Sequence, residues 1–315
     1  MKLEISLFGT EFQNPVLLAA GTCGFGMELS EVLDLETLGG FVTKSVTVEP
    51  RAGNPAPRVT EFQGGMLNSI GLANPGLEAT RRDKLPWIRD NVKRARVLLS
   101  IAGHRVEEFF QLVEGFDGEE GFLGFEVNLS CPNDTRRAGS TFALDPDAVA
   151  RIIEGCRART QRPLVAKLAP NDPDVGGTAR VAESAGADAL TLVNTLPGIL
   201  LGPADGIPEL GAGTGGMSGP ALRPSGLLAV KTARAATSLP LIGVGGVLGA
   251  RDAVSYARAG AVLVALGTAS FADPRAATRT VEGLVRWGRG RGVAHWTDLV
   301  TPRAGTAVHD TGGES

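Results

Sequence analysis

The sequence predicts an α/β protein folded as a single (β/α)8 TIM barrel with long loops after strands 2 and 6. Three observations carry that reading. Eight short apolar runs without polar alternation follow one another along the chain, most of them are separated by stretches of helical periodicity, and 315 residues suit one large α/β barrel.

In order, the runs are Val16–Ala20, Phe41–Thr47, Val97–Ile101, Phe125–Leu129, Leu164–Leu168, Ala189–Val193, Leu241–Val244 and Val262–Leu266. Strands apolar on both faces belong to a parallel sheet covered by helices, and eight such units close into a barrel. The helical stretches are Glu28–Leu38, Val106–Phe116, Pro146–Arg159, Val175–Ala185, Ser225–Ala236, Ala250–Ala259 and Pro274–Trp287. Asp145-Pro146 and Asp273-Pro274 mark two starts, each an N-cap carboxylate before a proline already set for the first helical turn.

The connections after strands 2 and 6 are about twice as long as most others. They hold the turn-rich segment 50–76 and the Gly/Pro-rich segment 197–220, and long loops leaving the carboxyl ends of barrel strands usually cover an active site. The expected organisation is one barrel over 1–302 and a small, polar, mobile tail over 303–315.

Composition removes several function classes. The chain has 31 basic and 34 acidic side chains, a net charge of −3, too little field to hold nucleic acid or an anionic membrane. No apolar run approaches the ~18 residues of a membrane span, and Glu4 interrupts what would be the apolar part of a signal peptide, so a cytoplasmic protein is expected. Cys23, Cys131 and Cys156 are an odd, scattered set, which offers neither a disulfide framework nor a zinc pair. His104, His295 and His309 are too few and too dispersed for a metal barrel, and no metal site is expected.

Polar residues at the carboxyl ends of barrel strands converge on one pocket. Here they are Ala20-Gly21-Thr22, Lys44-Ser45, Ser100, Asn128 to Asn133, Lys167, Asn194-Thr195, Gly245-Gly246 and Gly267-Thr268. A ring of buried lysines and amides is costly without a polar ligand, so the pocket should hold one. The glycines after strands 7 and 8 stand where barrels bind phosphate through backbone N–H groups, although glycine also closes such turns for steric reasons alone. Lys44 and Lys167 need a negative partner, which a flavin or nucleotide phosphate, or a reduced flavin ring, would supply.

The richest segment is FEVNLSCPN, 125–133. An intracellular cysteine is ordinarily a small buried hydrophobe, but Cys131 lies among Asn128, Ser130, Pro132 and Asn133, a polar, kinked setting in which an ionised thiol can act as a base or nucleophile. Cys23, in a glycine turn, and Cys156, on a buried helix face, are read as structural. Arg136-Arg137 could meet an anionic substrate, though a solvated loop edge is their ordinary role.

The segments TKSVT (43–47), GNPAPR (53–58), GMLNSIGLANPG (65–76), VNLSCPN (127–133), VAKLAPN (165–171), LVNTL (192–196), GGMSGPAL (215–222), GVGG (243–246) and GT (267–268), in that order, resemble the dihydroorotate dehydrogenase family. The resemblance implies an FMN-binding barrel that oxidises dihydroorotate to orotate in pyrimidine biosynthesis. A cysteine in the catalytic loop is similar to the soluble class 1 enzymes, and GMLN-x-IGL-x-NPG to class 1B, which passes electrons to NAD through a partner subunit carrying FAD and an iron-sulfur cluster. Three scattered cysteines cannot ligate such a cluster, and no G-x-G-x-x-G stands in the strand-to-helix setting of an NAD fold, so the partner would carry both. A homodimer, or a heterotetramer with that partner, is implied. The alternatives are a class 1A enzyme using fumarate and a non-catalytic barrel subunit.

Carried over by position, the resemblance makes Cys131 the base for ring carbon 5 while a hydride leaves carbon 6 for the flavin. Lys44, Asn68, Asn128, Asn133, Asn194 and Thr195 would bind substrate, with Ser69, Ile70, Gly71 and Leu72 beside them. Ala20, Gly21, Lys44, Ser45, Ser100, Asn128, Lys167 and Val193 would line the flavin, and Gly219, Gly245, Gly246, Gly267 and Thr268 would surround its phosphate. The family often has serine at the position of Ala20 and asparagine at that of Ser100, and the paired arginines 136–137 are also a departure.

Overall fold

A computed structural model of the chain describes residues 1–130 and 141–301. All eight apolar runs form strands of one closed parallel barrel: β1 Val16–Leu18, β2 Gly40–Val42, β3 Arg96–Ile101, β4 Gly124–Asn128, β5 Leu164–Lys167, β6 Ala189–Leu192, β7 Leu241–Val244 and β8 Leu263–Leu266. They pair in chain order, and β8 closes onto β1 with Leu266 opposite Leu18. Nearly every strand residue is buried, because barrel packing occupies one face and helices the other.

Five connections carry the expected helices, α1 Val106–Phe116, α2 Pro146–Arg157, α3 Val175–Ser184, α4 Arg223–Ala236 and α5 Ala250–Ala259, and a sixth expected helix, α6 Ala276–Arg289, follows β8. Asp145 caps α2 by accepting the Ala148 N–H at 3.1 Å. Asp273 does not cap α6. It accepts the Arg275 N–H at 3.0 Å and pairs with Arg279, so the helix begins at Ala276, two residues later than the sequence suggests.

Two connections differ from expectation. Glu28–Leu38 is not an α-helix but a series of turns ending in the 3-10 turn Leu35–Thr37. Side chains capture the backbone there: Glu28 accepts the Phe25 N–H at 2.8 Å and Asp34 the Glu36 N–H at 3.0 Å. Conversely, the β2–β3 connection holds a helical stretch the periodicity did not mark, Gly76–Ala79 and Leu85–Asn91 joined by a π-type turn over Thr80–Lys84.

The two long loops are not irregular. Strands Val59–Phe62 and Gly65–Asn68 from the first join Leu196–Gly198 and Gly215–Ser218 from the second in a four-stranded antiparallel sheet. Its central pairing sets Asn68 opposite Gly216. A short hairpin, Ile5–Leu7 with Thr10–Phe12, precedes the barrel and turns through Phe8 and Gly9, both at positive φ. Among the described residues no helix is long and apolar enough to cross a membrane. The tail 303–315 lies outside the described residues.

Candidate active site at the barrel mouth

A cavity lies at the carboxyl ends of the barrel strands beneath the loop sheet. The chain after β2 is led there by backbone bonds to its neighbour β3: Thr43 N–H donates to Leu98 and Val46 N–H to Ser100. This exposes Lys44 and Ser45 to the cavity.

From Ser45 a chain of short polar side chains crosses the mouth. Ser45 Oγ is 2.8 Å from Ser100 Oγ and accepts from Asn128 Nδ2 at 3.2 Å. Asn194 Nδ2 in turn donates to Asn128 Oδ1 at 3.3 Å and to the Ser130 carbonyl at 2.9 Å, while its own Oδ1 accepts the Thr195 N–H at 2.8 Å. The amides are therefore oriented before any ligand arrives, and beyond these bonds Asn128 keeps one amide hydrogen and Asn194 one carbonyl lone pair. Ser100 itself is fully buried behind Ser45 and is not part of the wall; its contact is with Ser45.

The loop 68–72 supplies another side. Asn68 donates from Nδ2 to the Gly216 carbonyl at 3.1 Å, tying the site to the loop sheet. Ile70, Gly71 and Leu72 face the cavity, with Leu72 at φ +57°. Ser69 does not: its N–H donates to Arg58 and its Oγ accepts from Asn54 Nδ2 at 2.9 Å, so it anchors the loop from behind. Asn74, which the sequence reading passed over, holds the far end by accepting the Thr47 and Gly76 N–H groups and donating to the Thr47 hydroxyl and Leu72 carbonyl.

The opposite wall is backbone. Gly21, Gly219, Gly245, Gly246, Gly267 and Thr268 line it, with Ala20 and Val193 beside them. A Cβ on Gly246 would lie 2.7 Å from Arg223 Cβ, and Gly246 sits at φ +67°, so glycine is required there by the protein itself. Gly267 differs: its φ lies outside the left-handed range and an added Cβ would meet nothing nearer than 3.9 Å. Neither packing nor dihedral requires glycine at 267; what it preserves is cavity space. Tyr256, the chain's one tyrosine, braces this wall by donating its hydroxyl to the Gly245 carbonyl at 2.7 Å, and burial pushes its pKa up. Asp252, paired with Arg223, accepts the Leu248 N–H at 2.9 Å. Neither bracing residue was marked by the sequence. The rim adds three exposed apolar groups that were also missed, Val59, Leu248 and Phe271.

Lys167 rises from β5 into the cavity floor and is only 5% exposed. Its negative partner is a protein group absent from the sequence reading, Glu126 of β4, with Nζ to Oε1 at 3.3 Å. Cys131 and Asn133 lie outside the described residues. Cys23 is buried, donates to the Val42 carbonyl and has its pKa pushed up by desolvation; burial likewise pushes Cys156 up to about 12. Both are inert thiols in this state. Among the described residues no three His, Cys, Asp or Glu side chains gather as a metal site.

The sequence matches the dihydroorotate dehydrogenase family model over residues 2–287. The chain belongs to the dihydroorotate dehydrogenase family. It is 43% identical over 314 residues to the "dihydroorotate dehydrogenase B (NAD(+)), catalytic subunit" of Desulforudis audaxviator, with 99% of each chain covered. It is 40% identical over 298 residues to the protein of the same name from Trichlorobacter lovleyi, covering 95% of this chain and 97% of that one. A "putative dihydroorotate dehydrogenase A (fumarate)" of Solibacter usitatus is 41% identical over 95% of this chain and 97% of its own. The crystal structure of DHODH from Eimeria tenella in complex with ferulenol superposes with a TM-score of 0.79 at 22% identity, covering 95% of this chain and 88% of that one, a likeness of fold.

Proposed function

We propose that this chain is the FMN-carrying catalytic subunit of a cytoplasmic, NAD-linked dihydroorotate dehydrogenase that oxidises dihydroorotate to orotate in pyrimidine biosynthesis. The observation that carries the reading is a wall of pre-oriented amides, Asn128 and Asn194, facing glycine-built space across a floor lysine. A planar ring with alternating amide donors and acceptors and a carboxylate matches Asn68, Asn128, Asn194 and Thr195, with Lys44 as the nearby cation. Cys131, three residues beyond Asn128 in the sequence, would take the proton from ring carbon 5, and Asn133 would bind beside it.

The wall fits FMN. Gly21 and Gly267 leave room that a side chain would fill, and the turns at Gly219, Gly245–Gly246 and Gly267–Thr268 offer backbone around a phosphate. Ala20, Ser45, Lys167 and Val193 would border the ring, with Ser100 supporting Ser45. FMN, when bound, supplies the hydride acceptor that no side chain of this protein provides. The partner subunit would carry FAD and an iron-sulfur cluster, in a heterotetramer built on a homodimer of this chain. The Desulforudis and Trichlorobacter names support the NAD-linked form, and the Solibacter name supports direct use of fumarate as a second reading.

Purification decides the matter. The expected protein is yellow, releases one FMN per chain, bleaches with dihydroorotate and transfers electrons to NAD only with its partner present. A colourless chain that does not rebind FMN overturns the proposal, and turnover of the chain alone with fumarate selects the second reading.

A further inference from the structure

Among the described residues Glu126 is the only buried carboxylate, 1% exposed inside the barrel. It stands two residues before Asn128 on β4, so both project to the same face of the strand. Asn128 is register partner of Lys167 on β5, and Lys167 of Thr191 on β6. One carboxylate oxygen accepts from Lys167 Nζ and the other from Thr191 Oγ1 at 2.9 Å. Lys167 reaches the cavity; Glu126 and Thr191 lie behind it and do not.

Stability does not explain the arrangement, since a buried ion pair replaced by apolar groups of similar volume often leaves a protein as stable or more so. Its consequence is electrostatic. An ammonium alone on the floor would favour any group that becomes anionic above it, and a carboxylate on the far side of that ammonium subtracts from the field. We propose that Glu126 is a positioning residue that holds Lys167 under the cavity and sets how much positive charge it presents there. It thereby limits how much more tightly the site binds reduced, anionic FMN than oxidised FMN. The inference rests on the FMN reading above, and Thr191 takes part by drawing on the second carboxylate oxygen.

The test is an anaerobic titration of the bound flavin against a dye of known potential. In Glu126→Gln the preference for reduced over oxidised FMN should rise about tenfold or more, an upward shift of about 30 mV per tenfold for a two-electron couple. Thr191→Val, which leaves the carboxylate wholly to Lys167, should move the preference the other way, two- to fivefold. In a Lys167→Met background, Glu126→Gln should shift the preference clearly less, because the carboxylate then acts through its own field alone and no longer by holding the ammonium. An unshifted potential in Glu126→Gln, a downward shift, or an equal shift with Lys167 removed overturns the inference. Should Glu126→Gln fail to fold, an unshifted potential in Thr191→Val does the same. A wild-type chain without flavin instead overturns the underlying functional reading, so the two failures are told apart.

Discussion

The cavity has two walls of different construction. Beyond β7, β8 and β1 it is mostly backbone, glycines at 21, 245, 246 and 267 with little chemistry of their own. Beyond β2 and β4 to β6 it is side chains, Lys44, Ser45, Asn128, Lys167 and Asn194, most of them already bonded to one another. The first wall selects by the space it leaves, and adding an atom harms it. The second selects by donors, acceptors and charge, and deleting one harms it.

The largest expected effect is on the side-chain half. Cys131→Ala should lower dihydroorotate oxidation by about 10²- to 10⁴-fold, the usual range for a lost general base, with flavin content unchanged. Full activity in steady-state assays would detach the chemistry from that segment.

The backbone half divides under two glycine substitutions. Gly246→Ala forces a Cβ to 2.7 Å from Arg223 and a side chain onto φ +67°, so denaturant titration should show a loss of about 1–3 kcal/mol. Gly267→Ala meets no such obstacle and should leave stability within about 0.5 kcal/mol while weakening FMN retention several-fold, read by equilibrium dialysis. Equal stability losses would erase the distinction between glycine required by the protein and glycine that preserves space.

Smaller effects test the amide chain. Ser45→Ala removes the acceptor of Asn128 and should raise KM for dihydroorotate by about the equivalent of 1 kcal/mol, roughly fivefold. Ser100→Ala, which leaves Ser45 in place, should do less. Least of all, Thr60→Val breaks the Thr60–Glu209 bond at the half-exposed edge of the loop sheet and should change stability by about 0.5 kcal/mol or less.

The contrast between the barrel and the loop sheet explains what could be read in advance. Phe125–Leu129 and Leu164–Leu168 stand out because strands buried on both faces are apolar almost throughout. Gly65–Asn68 and Gly215–Ser218 carry glycine and half-exposed residues, and they pair across about 150 positions, so no local pattern marks them. Glu28–Leu38 erred the other way, because apolar spacing fits a helix that Glu28 and Asp34 unmake by bonding the backbone. Within the site, Asn128, Asn194, Lys44 and Lys167 were legible as polar groups at strand ends. Glu126 was not, being one acid inside an apolar run.

The sequence by itself determined the barrel, the register of polar residues at its carboxyl ends and the family likeness, because each is written in local composition and spacing. Only the tertiary structure decided that two loops make one sheet over the mouth, that Ser69 and Ser100 stand behind the wall, and that Lys167 has Glu126 at its back. Those facts depend on neighbours across strands, and a charge or hydroxyl acquires its role from what lies within a few ångströms, which chain order does not record.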